Sequence, residues 1–124
     1  ERLREAGVVC ALASASKNAM TILDSTALRS YFDVFCDGNT TSKAKPDPEI
    51  FVTAAAGMGL EWSECVVFED APAGIRAASS IGMCTVGIGQ QEHLKEADHV
   101  RPHLQAVLES GLFEILFTDQ IDYA

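Results

Sequence analysis

Glu69 and Asp70 stand side by side after the apolar run 65–68, within the stretch CVVFEDAPAG. The run reads as a short buried strand. Pro72 and Gly74 then open a small-residue helix over residues 73–81, whose alanines permit close packing on a sheet. Two neighbouring carboxylates repel each other, so a pair at the carboxyl end of a strand points to a shared hard cation. The simpler reading makes Asp70 the N-cap of the following helix, which accounts for Asp70 and leaves Glu69 without a role. Ser14 and Ser16 set hydroxyls beside the free N–H groups expected at another helix start, an anion-binding arrangement, although Ser16 would also serve as an ordinary cap. Lys17, in the first turn of that helix, faces the positive end of the dipole, a poor position unless an anion sits there. Lys45 precedes Pro46, which is expected to hold it extended ahead of a further helix start, whereas Lys43 reads as a surface lysine. A hydroxyl, a lysine and a carboxylate pair at one edge would bind phosphate with Mg2+, the lysine neutralising charge on the transferring group.

Gathering residues so far apart in sequence requires strands that run in one direction. Residues 8–13 (VVCALA) read as a strand buried on both faces, followed by the turn 14–16 and a helix from about 17 to 28. Residues 32–36 form a second strand and 37–45 (DGNTTSKAK) a loop of turn formers. Asp47 as N-cap and Pro48 at the first helical position start a helix that runs to Met58 and stops at Gly59. The third strand is 65–68, the fourth 83–88. A polar segment, 90–97, precedes a brief strand at 98–100, and Pro102 opens a last helix to Glu109. This alternation predicts an α/β fold, a Rossmann-like doubly wound parallel sheet with right-handed crossovers. Ligands bind such sheets at the carboxyl edge, where Ser14, Lys45, Glu69 and Asp70 would converge. The domain is expected over residues 1–110, with 111–124 an unassigned tail. Residues 1–6 read as the last turns of a helix with Gly7 as its C′ residue, so the chain is expected to be part of a longer protein.

The 124 residues suffice for one core, and 48% hydrophobic with 22% charged residues is the balance of a globular domain. A net charge of −9 argues against nucleic acid and against anionic membrane as partners, while leaving room for a local cluster of cations around a phosphorylated small molecule. Cys10, Cys36, Cys65 and Cys84 stand singly in apolar runs without C-x-x-C spacing, which reads as reduced, buried thiols of a cytoplasmic protein. His99 and His103 are separated by Pro102 and read as surface or capping residues; Trp62 and the phenylalanines read as core or packing residues.

ALASASKN (11–18), AKPDPEIF (44–51), FEDAPAGIRAA (68–78) and VGIG (86–89) resemble the haloacid dehalogenase superfamily, and within it the β-phosphoglucomutase-like subgroup with its sugar-phosphatase relatives. The resemblance covers most of the chain to about residue 108. It implies that Ser14 hydrogen-bonds the transferring phosphoryl group, that Lys45 stabilises its charge, and that Glu69 and Asp70 hold Mg2+. It also implies that Ser14, Ala15, Ser16, Lys17, Asn18 and Lys45 contact substrate phosphate. Ser16, Lys17 and Asn18 match residues that hold the second phosphate of a bisphosphorylated sugar, which favours a mutase. The implied reaction interconverts glucose 1-phosphate and glucose 6-phosphate through an aspartyl-phosphate.

One departure is large. The family's nucleophile and general acid/base are the two aspartates of a D-x-D-x-T motif, followed by a helical cap. Neither that motif at a matching position nor the cap is present. Asp37-Gly38-Asn39-Thr40-Thr41 reads D-x-N-x-T but falls where the family has a loop. The missing strand belongs between those ending at Ser14 and Glu69, so unpaired strand edges are expected. Three readings follow: the C-terminal core portion of a phosphosugar mutase, inactive without an N-terminal segment; a sugar-phosphate phosphatase; or a non-catalytic phosphate- or metal-binding fragment or half of a complementing pair. A receiver-type signalling domain is set aside, since the order of hydroxyl, lysine and acids is reversed.

Overall fold

The computed structural model describes residues 7–14, 29–37 and 41–117, and the chain divides into two compact units, Glu1–Glu61 and Trp62–Ala124. The helix expected over 17–28, and the helix end expected over 1–6, lie outside the described residues.

In the first unit β1 (Ala11–Ala13) pairs in parallel with β2 (Val34–Cys36), with Leu12 opposite Phe35. The strands are shorter than their apolar runs because pairing starts late. The Cys10 carbonyl accepts the amides of Asp33 and Val34, and the Asp33 carboxylate accepts the Cys10 amide at 2.9 Å. Before that point Val9 is exposed, and β1 itself is half-buried rather than enclosed on both faces. Helix α1 (Glu49–Met58) packs on both strands and buries Ile50, Phe51, Ala54 and Ala55 along one stripe. It starts one residue later than its sequence signal. Pro48 occupies the cap position, and the Asp47 carboxylate accepts the Glu49 amide at 3.0 Å. Gly59 ends the helix in the left-handed conformation, φ 69°, as its position predicts.

In the second unit β3 (Val66–Glu69), β4 (Cys84–Ile88) and β5 (His99–Arg101) lie in that order, all parallel. Helix α2 (Pro72–Ser79) connects β3 to β4 and packs on both, burying Gly74, Ile75, Ala77 and Ala78. The polar segment before β5 contains a single helical turn, α3 (Gln91–Leu94), anchored by buried Leu94. Two short helices follow, α4 (Leu104–Glu109) and α5 (Leu112–Leu116). Val86, Val107 and Leu112 form the core cluster, with Val66, Phe68, Ile88 and Leu116 packed against it. The tail that the sequence leaves unassigned therefore contributes Leu112 to this core.

Parallel strands with packed helices are the α/β, Rossmann-like architecture expected, and among the described residues β1 and β3 each pair with one strand. His103 caps α4, its Nδ1 accepting the Ala106 amide at 3.1 Å. Trp62 is not a core residue; it lies in a single 3-10 turn, Trp62–Glu64, and is 43% exposed. Cys65, just after this turn, is buried. Among the described residues no helix is long and apolar enough to cross a membrane.

Candidate functional site

The carboxylate pair sits where a β-strand gives way to a helix. Glu69 is the last residue of β3, half-buried; Asp70 is exposed in the turn before α2. The cap position of α2 falls on Ala71, whose side chain offers no acceptor, and Pro72 occupies the first helical position. The turn amides are satisfied from behind: Glu69 Oε1 accepts the amides of Asp70 at 3.0 Å and Ala71 at 3.2 Å. The capping alternative for Asp70 therefore fails, and the backbone-binding carboxylate is Glu69. The other side of the Glu69 carboxyl group lies against Gly74, where an added Cβ would collide with its carboxyl carbon and Oε2.

In the first unit Ser14 follows the end of β1, its amide donating to the Cys36 carbonyl at 2.9 Å. Because Ala13 is opposite Cys36, the next positions along the two strands are Ser14 and Asp37. Asp37 is a buried carboxylate, 8% exposed, at the carboxyl end of β2. The sequence sets it at the head of the D-x-N-x-T match in the 37–45 loop and gives no sign of its burial, since burial of an acid leaves no mark on composition. Burial, reinforced by Asp37, pushes the neighbouring Cys36 thiol above its ordinary pKa. Lys45 lies in a turn ahead of α1, joined to Pro46 by a cis peptide rather than held in an extended segment. Its Nζ stands 5.3 Å from the centroid of the buried Phe51 ring, a cation–π contact. Lys43 is exposed. Ala15, Ser16, Lys17 and Asn18 lie outside the described residues.

Ser14 in one unit and Glu69 with Asp70 in the other thus each occupy the carboxyl end of a parallel strand, the edge where α/β sheets bind ligands. Glu69 and Asp70 are hard oxygen donors, of the type that binds Mg2+. Among the described residues no three His, Cys, Asp or Glu side chains gather as a metal cluster. Two carboxylates still fit that ion, which is held through one or two carboxylates with water and phosphate completing its shell.

The parallel strands and the helices packed on them define a Rossmann-like α/β fold. The chain belongs to the haloacid dehalogenase-like hydrolase family, whose model matches residues 1–82. It is 42% identical over 99 residues to a β-phosphoglucomutase of Bacillus subtilis, covering 80% of this chain and 44% of that protein. It is 40% identical over 75 residues to a fructose-1-phosphate phosphatase of Escherichia coli, covering 60% of this chain and 40% of that protein. Among solved structures, a β-phosphoglucomutase from Clostridium difficile superposes with a TM-score of 0.86 at 32% identity, over 95% of this chain and 52% of the other. The chain spans less than half the length of those two curated relatives. Phosphomutases and phosphatases are both among its relatives.

Proposed function

We propose that this chain is the C-terminal core portion of a Mg2+-dependent phosphosugar mutase that interconverts glucose 1-phosphate and glucose 6-phosphate. The observation that carries the reading is the Glu69–Asp70 pair at the end of β3, one carboxylate fixed on the turn amides and the other exposed. Similarity to the Bacillus subtilis β-phosphoglucomutase supports the mutase assignment over the bulk of the chain. When bound, Mg2+ supplies neutralisation of phosphate oxygens. Ser14 donates its hydroxyl to the transferring phosphoryl group, and Lys45 balances the charge that develops on it. Ser14, Ala15, Ser16, Lys17 and Asn18, with Lys45, are the proposed phosphate-binding residues. The nucleophilic aspartate and the general acid/base come from a segment outside this chain.

Similarity to the Escherichia coli fructose-1-phosphate phosphatase favours a second reading, a sugar-phosphate phosphatase using the same core residues with water as acceptor. Incubating the full protein with Mg2+ and glucose 1-phosphate separates the two. Conversion to glucose 6-phosphate supports the mutase, whereas stoichiometric release of inorganic phosphate assigns the phosphatase. Turnover by the 124-residue chain alone would overturn the assignment of the nucleophile to a segment outside it.

A further inference from the structure

Gly74 is buried in the first turn of α2, its amide donating to the Ala71 carbonyl at 3.1 Å, so its backbone is helical. Helical backbone does not require glycine, and glycine inside a helix is less stable than alanine. What favours it is the neighbour: a Cβ at this position would occupy the space of the Glu69 carboxyl group, the flexible end of that side chain, which would have to swing off the turn amides to make room. That group in turn accepts the amides of Asp70 and Ala71, the turn that carries Asp70 to the surface.

We propose that Gly74 is a positioning residue of the carboxylate site: the missing side chain seats the Glu69 carboxylate on the β3–α2 turn, and that seat fixes how Asp70 is presented. The inference rests on the metal-binding reading above for its consequence and on geometry alone for its cause. Glu69 acts through the turn, and Asp70 is the more open donor of the pair. Neither role is visible in the spacing of the acids, because both depend on which backbone amides the Glu69 side chain reaches.

The test is a double-substitution cycle in the full protein, read by thermal unfolding without metal and by Mn2+ affinity from electron paramagnetic resonance. Gly74→Ala should lower Tm by about 5 °C. In a Glu69→Ala background the same substitution should leave Tm unchanged or raise it, since the collision is gone and alanine is the better helix former. Gly74→Ala should also weaken Mn2+ binding by about tenfold, as loss of an outer positioning contact does. Asp70→Asn should weaken Mn2+ binding at least as much with Tm unchanged. Should Gly74→Ala fail to fold, recovery of folding in the Glu69→Ala/Gly74→Ala pair carries the same support, and failure of that pair where Glu69→Ala folds overturns the proposal. Equal Tm losses in both backgrounds, or a Tm loss with Mn2+ affinity intact, overturn it as well. If the unsubstituted protein takes up no Mn2+, the metal reading falls, and the unfolding cycle alone decides whether Gly74 seats Glu69.

Discussion

Thr85 shows how a single exposed acid can hold a buried strand. The residue has no solvent exposure, yet carries an amide and a hydroxyl that need partners. Asp98 supplies them: its Oδ2 accepts the Thr85 amide at 2.9 Å and the Thr85 hydroxyl at 3.2 Å, while Thr85 Oγ1 accepts the Asp98 amide at 3.0 Å. The bonds tie the start of β4 to the residue before β5. Asp98→Ala strands two buried donors and should destabilise the protein by about 1–3 kcal/mol, measured by denaturant unfolding. Asp98→Asn keeps an acceptor and should lose clearly less. Equal losses for both variants would show that charge, not the acceptor, matters at this position.

Elements end where backbone chemistry forces them to. Helix α1 stops at Gly59 because the chain there turns left-handed, φ 69°, and the Gly59 amide bonds back to the Ala56 carbonyl at 3.1 Å. No atom outside its immediate neighbours comes within 4 Å of a Cβ built at Gly59, so an added methyl would meet no obstacle and only the backbone would resist it. Gly59→Ala should therefore cost about 1–2 kcal/mol, the penalty of placing an L-residue with a Cβ in that conformation. Gly59→Asn, which tolerates the left-handed region, should cost less; a scan of thermal midpoints orders the two. Gly74 differs in kind, since its backbone is ordinary and its neighbour is not. The sequence marks both as glycines near helix ends, and only the dihedral angles and the Glu69 contact separate their roles.

Across the whole molecule, three thiols couple stability to pH. Burial pushes the thiols of Cys36, Cys65 and Cys84 upward from the ordinary value of 9.0, with Asp37, Glu64 and Asp98 adding to the shift in turn. A raised pKa means the folded state holds its protons longer than the unfolded chain. The stabilisation is complete below the ordinary value and is lost as pH rises through the raised ones. Thermal midpoints should fall above pH 9, and the fall should flatten when Cys36, Cys65 and Cys84 are replaced together by alanine. An unchanged slope in the triple variant would exclude the thiols as its source. Maleimide labelling at neutral pH should likewise be slow at Cys36 and Cys65, which are 2% and 6% exposed, until the protein unfolds.

The sequence by itself determined the alternation of strands and helices, because hydrophobic period, proline and glycine act locally, and it determined the family, because the motifs around Ser14, Lys45 and Glu69–Asp70 are short and ordered. It also marked Gly59 as a helix stop and left His103 between a surface and a capping role, which the Nδ1 contact to the Ala106 amide decides. The tertiary structure decided matters that depend on contacts distant in sequence or on side-chain direction. Strand β1 begins at Ala11 because Asp33 and Val34 reach Cys10. Trp62 is exposed, and Asp37 is buried beside the end of β1. Of two adjacent carboxylates that look alike in sequence, Glu69 turns back onto the chain and Asp70 faces outward, since only one of them lies where a glycine leaves room.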